Sequence, residues 1–489
     1  MKQTLSSAVP DFRKVWAVSL PVMLSMLAQN IISVTDTAFM GRVGEIELGA
    51  AAIGGVYFHV LFMLGFGFAT GMQILISRRK GENNLSQIGP VMETGLLFLW
   101  ALAAILIVAA QWLTPSIMPL VISHESLLQP SINFLNIRVY GLIFVFVNVS
   151  FRAFHVGTTN TRPLTYGSII MAVTNVVLDY LLIFGKAGFP KMGLEGAALA
   201  SVISEAVEAV YLIGYNSRTK IRKMYQLFYF RNVNFRLLKH TLNISIFVML
   251  QYFISLSTWF IFFIVIEKTG EQNLASSNII RSIYGFITIP VWAYAAVTSS
   301  FVSNAIGAGR TEQVTAIIAK IVKISFITSL IITLCTGVLA RQVLMIYTDN
   351  MELVTLSLLS VYVILIANIV FSCSCVTFNG VSGTGKTKIA MFIEIISLVF
   401  YMIALYLLVY YFPDNVASAW FSEFVYWSGL LILSLLYLKF GKWKLGGLGY
   451  KKTKDTKFFF CVLCINLCVK KILTFFLRCC DTPSFRNKR

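Results

Sequence analysis

Charge is what this 489-residue chain has least of. Only 12% of its residues are charged, against about 25% in an ordinary soluble domain. Beside 57% apolar residues, that deficit excludes a soluble globular protein. Acids are scarcer than bases, 21 against 40, and the net charge is +19. A nucleic-acid binder would also be basic, but here the Lys and Arg residues sit in short gaps between apolar runs, as cytoplasmic loops do; no nucleic acid is expected as a partner. Histidine is rare. His59, His124, His155 and His240 are scattered without metal-ligand spacing, so neither a metal site nor an enzyme is expected, and no cofactor is called for. The eight cysteines make no disulfide framework: Cys335, Cys373 and Cys375 lie in apolar helices and the other five near the C-terminus. Alternating apolar and polar positions are missing too, which argues against a transmembrane barrel. The first apolar run, from about Val15, has no small-residue cleavage site and is expected to stay as a span.

What is present is a succession of apolar runs long enough for the ~30 Å of a bilayer's hydrocarbon. In lipid the backbone must satisfy its own hydrogen bonds, so continuous runs mean helices. We place spans near 13–40, 48–77, 90–118, 128–152, 163–185, 194–216, 238–266, 274–306, 314–340, 353–378, 388–412 and 416–440. The fold expected is an all-α integral membrane protein of twelve transmembrane helices in two six-helix lobes, 1–225 and 226–445, followed by a basic, Cys- and Phe-containing tail at 446–489. Arg78-Arg79-Lys80, Arg152 with Arg162, the basic stretch from Arg218 to Arg236, Arg310, and Lys386 with Lys388 all follow even-numbered spans. Both termini are therefore expected in the cytoplasm. The tail reads as an interfacial amphipathic helix.

The halves repeat at an offset of 226 residues. Gly44-Glu45 with Leu48 falls on Gly270-Glu271 with Leu274, Gly81 on Gly307, and Gly157-Thr158 on Gly383-Thr384. Six spans per repeat preserve orientation, so the axis relating the lobes lies along the membrane normal, an arrangement of transporters with the substrate path between lobes.

Gly380 to Thr387 matches the phosphate-loop pattern letter for letter. A phosphate loop needs a strand before it and a soluble nucleotide-binding domain around it; here spans flank it, and the repeat partner Gly157 to Arg162 lacks the motif. We read a tight turn.

Ionisable residues within spans are expensive and ask for a reason. Asp36 lies late in span 1 and Asp179 in the second half of span 5, at matching depth. Asn175 sits one turn before Asp179 on the same face. Two carboxylates and an amide facing one cavity suit a proton or a small cation such as Na⁺; the competing reading is two unrelated helix-end acids. The repeat partners of the acids are Phe262 and Leu405, so coupling chemistry is expected in the first lobe alone. Gln29 is placed to line the same cavity. Glu205, Glu208, Arg281, Glu394 and Glu423 either line the path or pair at its edge, and Arg281 stands nearly alone as a cation in mid-span. Pro21 removes a helix hydrogen bond and permits a bend in span 1, or marks a static kink. Pro290 is similar.

These residues resemble the multidrug and toxic compound extrusion (MATE) family, within the superfamily that includes lipid-linked oligosaccharide flippases. The resemblance runs over about residues 10–440. It rests on Pro21, Asp36 to Gly44, Leu48 to Ala51, Gly157 to Pro163, Asn175 to Gly185 and Gly193 to Ser201. It implies a secondary active exporter that exchanges H⁺ or Na⁺ for organic, cationic compounds by alternating access, with Asp36, Asn175 and Asp179 as the cation site. It places Gln29 and Ser201 near that site and the helix 1 bend at Pro21. Some branches carry a further acid in helices 7 and 10; helix 10 of this sequence, from Val354 to Thr377, has no carboxylate. The implied setting is a bacterial inner membrane, with small organic substrates and membrane lipids as partners and a monomer as the working form. A lipid or lipid-oligosaccharide flippase is the alternative, which many basic residues within the lobes would favour. A channel lacks the polar ring it would need.

Overall fold

The computed structural model describes residues 9–122, 125–230, 234–412 and 415–443. The proposed tail at 446–489 lies outside them. The described chain is helical: α1 (Phe12–Val43), α2 (Glu45–Gly81), α3 (Ile88–Val121), α4 (Glu125–Arg138), α5 (Gly141–Gly157), α6 (Arg162–Phe184), α7 (Gly193–Asn216) and α8 (Thr219–Tyr225), then α9 (Phe235–Glu267), α10 (Glu271–Ile287), α11 (Ile289–Gly307), α12 (Val314–Val338), α13 (Ala340–Met345), α14 (Met351–Gly383), α15 (Thr387–Tyr411) and α16 (Val416–Phe440). Among the described residues ten of these are long and apolar enough to cross a membrane, and two bent pairs, α4 with α5 and α10 with α11, make twelve where each pair is counted as one span. Side chains start the helices: Asp11 accepts from the Lys14 amide at 2.9 Å, and Asn234, Asn350 and Asn415 cap α9, α14 and α16. Each supplies an acceptor that the first turn lacks.

The bends depart from expectation in an instructive way. The fourth span was read as one helix over 128–152; it breaks by 52° between Arg138 and Gly141. The eighth, 274–306, breaks by 47° just ahead of Pro290, where α11 starts. Span 1 is one continuous helix from Phe12 to Val43 with Pro21 inside it. Its contacts with α6 flank that proline. Thr161, which precedes α6, and Thr165 of α6 donate to the Val18 and Pro21 carbonyls at 2.8 and 3.0 Å, and Ser168 meets Ser25 at 2.6 Å. Hydroxyls at and just inside the start of α6 thus tie it to α1 on either side of the proline.

The 226-residue offset reappears in the helix boundaries. α2 and α10 begin at Glu45 and Glu271, the 3₁₀ turns are Leu85–Gln87 and Thr311–Gln313, and α3 and α12 begin at Ile88 and Val314. α5 and α14 end at Gly157 and Gly383. The contacts repeat as well. A Cβ on Gly81 would lie 2.0 Å from the Asn304 carbonyl oxygen, and one on Gly307 would lie 2.2 Å from that of Arg78; each pair is the image of the other. The C-terminal ends of α2 and α11 therefore cross in backbone contact about the axis relating the halves. Around the crossing, Gln73 donates to the Ala296 carbonyl and the Ser300 hydroxyl, both at 3.0 Å, and Ser303 donates to the Ile74 carbonyl at 2.7 Å. The Arg78 guanidinium donates to the Thr384 carbonyl at 2.8 Å, and the Lys80 ammonium to the Thr158 carbonyl and Thr159 hydroxyl. That end of the bundle is closed.

The phosphate-loop match belongs to this closed end. It joins two helices, with no strand before it. Gly383 is where α14 meets the Ser299 carbonyl, 2.6 Å from an added Cβ, and Gly385 turns the chain at φ +84°. The glycines are needed for close approach and for the turn. Lys386 is exposed. Lys386→Ala should therefore leave transport within about twofold, since exposed substitutions usually cost under ~0.5 kcal/mol. Purified protein should not hydrolyse ATP; an ATPase activity lost in this variant would overturn that reading.

Candidate functional site

α1 and α6 pack side by side, and this brings the sequence-predicted trio together. Asn175 and Asp179 are fully buried, one turn apart on α6, and Asp36 of α1 is half-buried opposite them. With its nitrogen turned toward the acids, the Asn175 amide donates to Asp36 Oδ1 at 3.1 Å and Asp179 Oδ2 at 3.2 Å. One amide thus links the two carboxyl groups across α1 and α6. Two bare carboxylates held this way would repel, so the pair suits a shared proton or cation. Asp179 Oδ1 is buried and has no partner among the described residues. A buried orphan acceptor is uncommon and is a point at which a small cation would be satisfied. In the second half the same three positions are Phe262, Tyr401 and Leu405, and there Phe262 packs on Tyr401 and Trp420 in an apolar core.

A second feature opens above the closed end. A cavity of about 480 Å³ has Gln73, Ala296 and Ser299 of the crossing in its lining, which makes the crossing its floor. Its walls come from α2, α9, α10, α11, α14, α15 and α16 and are rich in Tyr and Trp. Glu394 and Arg281 line it, as does Glu423. Glu394 accepts from the Ser255 and Tyr426 hydroxyls, both at 2.6 Å; Glu423 accepts from the Trp427 indole N–H at 2.9 Å. Gln29 and Ser201 do not line this cavity: Gln29 is exposed on α1 and Ser201 half-buried on α7.

Two cations were missed. Arg152 was read as part of a loop; it lies five residues inside the end of α5, lines the cavity, and has its guanidinium 4.9 Å from the Phe66 ring. Arg138, at the break of the fourth span, pairs with Glu205 of α7 in two hydrogen bonds of 2.6 and 2.9 Å and lies 3.6 Å over the Phe58 ring. Arg281 is accordingly not alone in mid-span. The signal for Arg138 was available, since an arginine ten residues inside a predicted span needs a partner. Which of the acids would be that partner was not legible.

Comparison with known proteins places the chain. The family model MatE matches residues 21–181 and 235–407. The chain is 25% identical to a probable multidrug resistance protein, YoeA, of Bacillus subtilis, over 68% of this chain and 72% of that one. It is 22% identical to the probable multidrug resistance protein NorM of Thermotoga maritima, covering 89% and 94%. Among solved structures, an outward-facing multidrug resistance MATE family transporter of the MOP superfamily superposes with TM-score 0.80 at 18% identity, over 90% of this chain and 97% of that one. A MOP superfamily transporter from Pyrococcus furiosus superposes with TM-score 0.77 at 18% identity, over 88% and 95%. At these identities the structural likeness speaks for the fold.

Proposed function

The chain belongs to the MATE family of membrane transporters, and from that premise we propose that it is a secondary active exporter that exchanges H⁺ or Na⁺ for organic cations. The observation that carries this reading is the bridge Asn175 makes between Asp36 and Asp179, in one half only. A cation entering there neutralises a buried acidic cluster, and a cluster with no copy in the second half makes the two halves respond differently. The aromatic, acid-bearing cavity supplies a place for a flat organic cation: ring faces attract cations, and Glu394 and Glu423 add charge. The closed end gathers Arg78, Arg79, Lys80, Arg310, Lys386 and Lys388, so we assign it to the cytoplasm. Alternating access would then separate the α2–α11 crossing.

The test is efflux of a fluorescent organic cation from cells expressing the protein, with the pH and Na⁺ gradients dissipated separately. Loss of efflux on collapse of one gradient names the ion. Efflux indifferent to both would overturn the proposal. Orientation has its own check: a cysteine introduced at Lys220 is expected to resist an impermeant thiol reagent added to intact cells. Labelling from outside would reverse the assignment. A second reading, a flippase for lipid-linked anions, draws on Arg152 and Arg281, which make no ion pair among the described residues. Failure of organic-cation efflux together with binding of pyrophosphate-bearing lipid would favour it.

A further inference from the structure

The pair Arg138–Glu205 is built with care at a place where a plain apolar contact would serve. Their side chains are only 13% and 10% exposed. A Cβ on Gly141 would lie 2.3 Å from Arg138 Nη1 and 2.5 Å from Glu205 Oε2, so the glycine at the start of α5 leaves room for the pair. The repeat supplies the control. At the 226-residue offset Arg138, Glu205 and Gly141 become Ile364, Leu431 and Ala367, all buried. The half that lacks the acidic cluster lacks the ion pair and fills the glycine's space with a methyl group. Cluster and ion pair are present together or absent together, and they adjoin: α7, which carries Glu205, packs on α4 as well as on α6 and α1, which carry the cluster.

We propose that Arg138 is the internal counter-ion of the Asp36–Asn175–Asp179 cluster, resting on Glu205 while the cluster holds its transported cation and leaning toward Asp36 when the cluster is empty. This rests on the coupling role assigned above. Here Asn175 bridges the two aspartates and Arg138 is engaged by Glu205, the arrangement assigned to the loaded cluster. An empty cluster carries a second negative charge, which draws the guanidinium off Glu205. The charged groups around Arg138 are Glu205 of α7, with Glu208 one turn beyond, and, farther off, Asp36 of α1; Phe58 of α2 is the ring it slides on. The exchange lowers the cost of releasing the cation, because a bare pair of carboxylates is never left in lipid without a positive partner. Arg138 is thus a positioning residue: it acts through Asp36.

Opposite responses of two variants test this. Purified protein in proteoliposomes is assayed for organic-cation transport against Na⁺ at fixed pH and against pH without Na⁺. Arg138→Met removes the competitor, so the Na⁺ or H⁺ concentration for half-maximal transport should fall about tenfold, the order of effect of a unit charge a few ångströms away. Glu205→Gln releases Arg138 to Asp36, and that concentration should rise about tenfold. A merely structural pair would give shifts of one sign, or a loss of maximal rate without a shift; either outcome overturns the inference. The double variant R138M/E205Q leaves no lone buried charge and should shift in the same direction as Arg138→Met, which keeps the test alive if the single variant does not fold. Asp36→Asn is run beside them. If it transports normally against a gradient, the coupling role itself has failed; if it is inactive while the pair shows no opposed shifts, only the counter-ion inference has.

Discussion

Asp36→Asn is expected to abolish gradient-driven efflux, by a hundredfold or more, while the protein folds and reaches the membrane. The substitution keeps shape and hydrogen bonding but removes the charge. Asp36 is half-buried beside Asn175, and its Oδ1 accepts from that amide; an asparagine oxygen accepts the same bond. What it cannot do is change charge with occupancy. Coupling requires the cation to prefer one conformation, since equal affinity for both shifts nothing. A hundredfold preference corresponds to about 2.7 kcal/mol, within reach of one buried carboxylate and lost with it. Asp179→Asn should be nearly as severe, because Asp179 Oδ1 is the buried acceptor with no partner. Glu394→Gln should be milder, since Glu394 already accepts two hydroxyl hydrogen bonds in the cavity wall and its glutamine would keep them. Efflux assays on energised cells, normalised to membrane protein, measure all three. Full efflux by a well-expressed Asp36→Asn protein would sink the first-half mechanism.

Gly307→Val should have the next largest effect, and of a different kind. The crossing of α2 and α11 brings backbone to backbone, with the Arg78 carbonyl 2.2 Å from any Cβ at position 307. No flexible side chain can yield there, so a valine must push the helices apart. Overpacking of this sort costs about 1–3 kcal/mol, which lowers the population of the closed arrangement roughly five- to 150-fold. Transport should fall, and the floor of the cavity should become reachable from the crossing end. A cysteine replacing Ser300, fully buried between the crossing and the cavity floor, should be protected from a thiol reagent in the parent and labelled rapidly in the Gly307→Val background. Equal protection with unchanged transport would mean that the crossing is not a gate. Gly81→Val, its image, should behave alike, because the same contact faces the Asn304 carbonyl.

Much of this was legible along the chain. Apolar runs of bilayer length dictate helices because lipid offers the backbone no other partner, and twelve spans follow. The repeat was readable from Gly81 and Gly307 because close backbone crossing tolerates no side chain, and that need leaves the same letter in both halves. Asp36, Asn175 and Asp179 stood out because ionisable groups in lipid are rare, and helical spacing alone put the last two on one face.

Other features depend on what stands across from a residue, which no single segment contains. Pro21 and Pro290 look alike in sequence; Pro21 lies inside one continuous helix, while the chain breaks ahead of Pro290. Arg152 read as a loop residue until α5 placed it in a cavity wall. The acids at Glu394 and Glu423 were visible, but their union with a Trp- and Tyr-rich cavity required α9, α10, α15 and α16 to converge. Arg138 and Glu205 are 67 residues apart, and Gly141 explains neither until the three meet. Periodicity and hydropathy report how a residue relates to its own helix and to the bilayer. Pairing between helices is decided by tertiary packing, and in this protein the charges that matter are those whose partners lie on another helix.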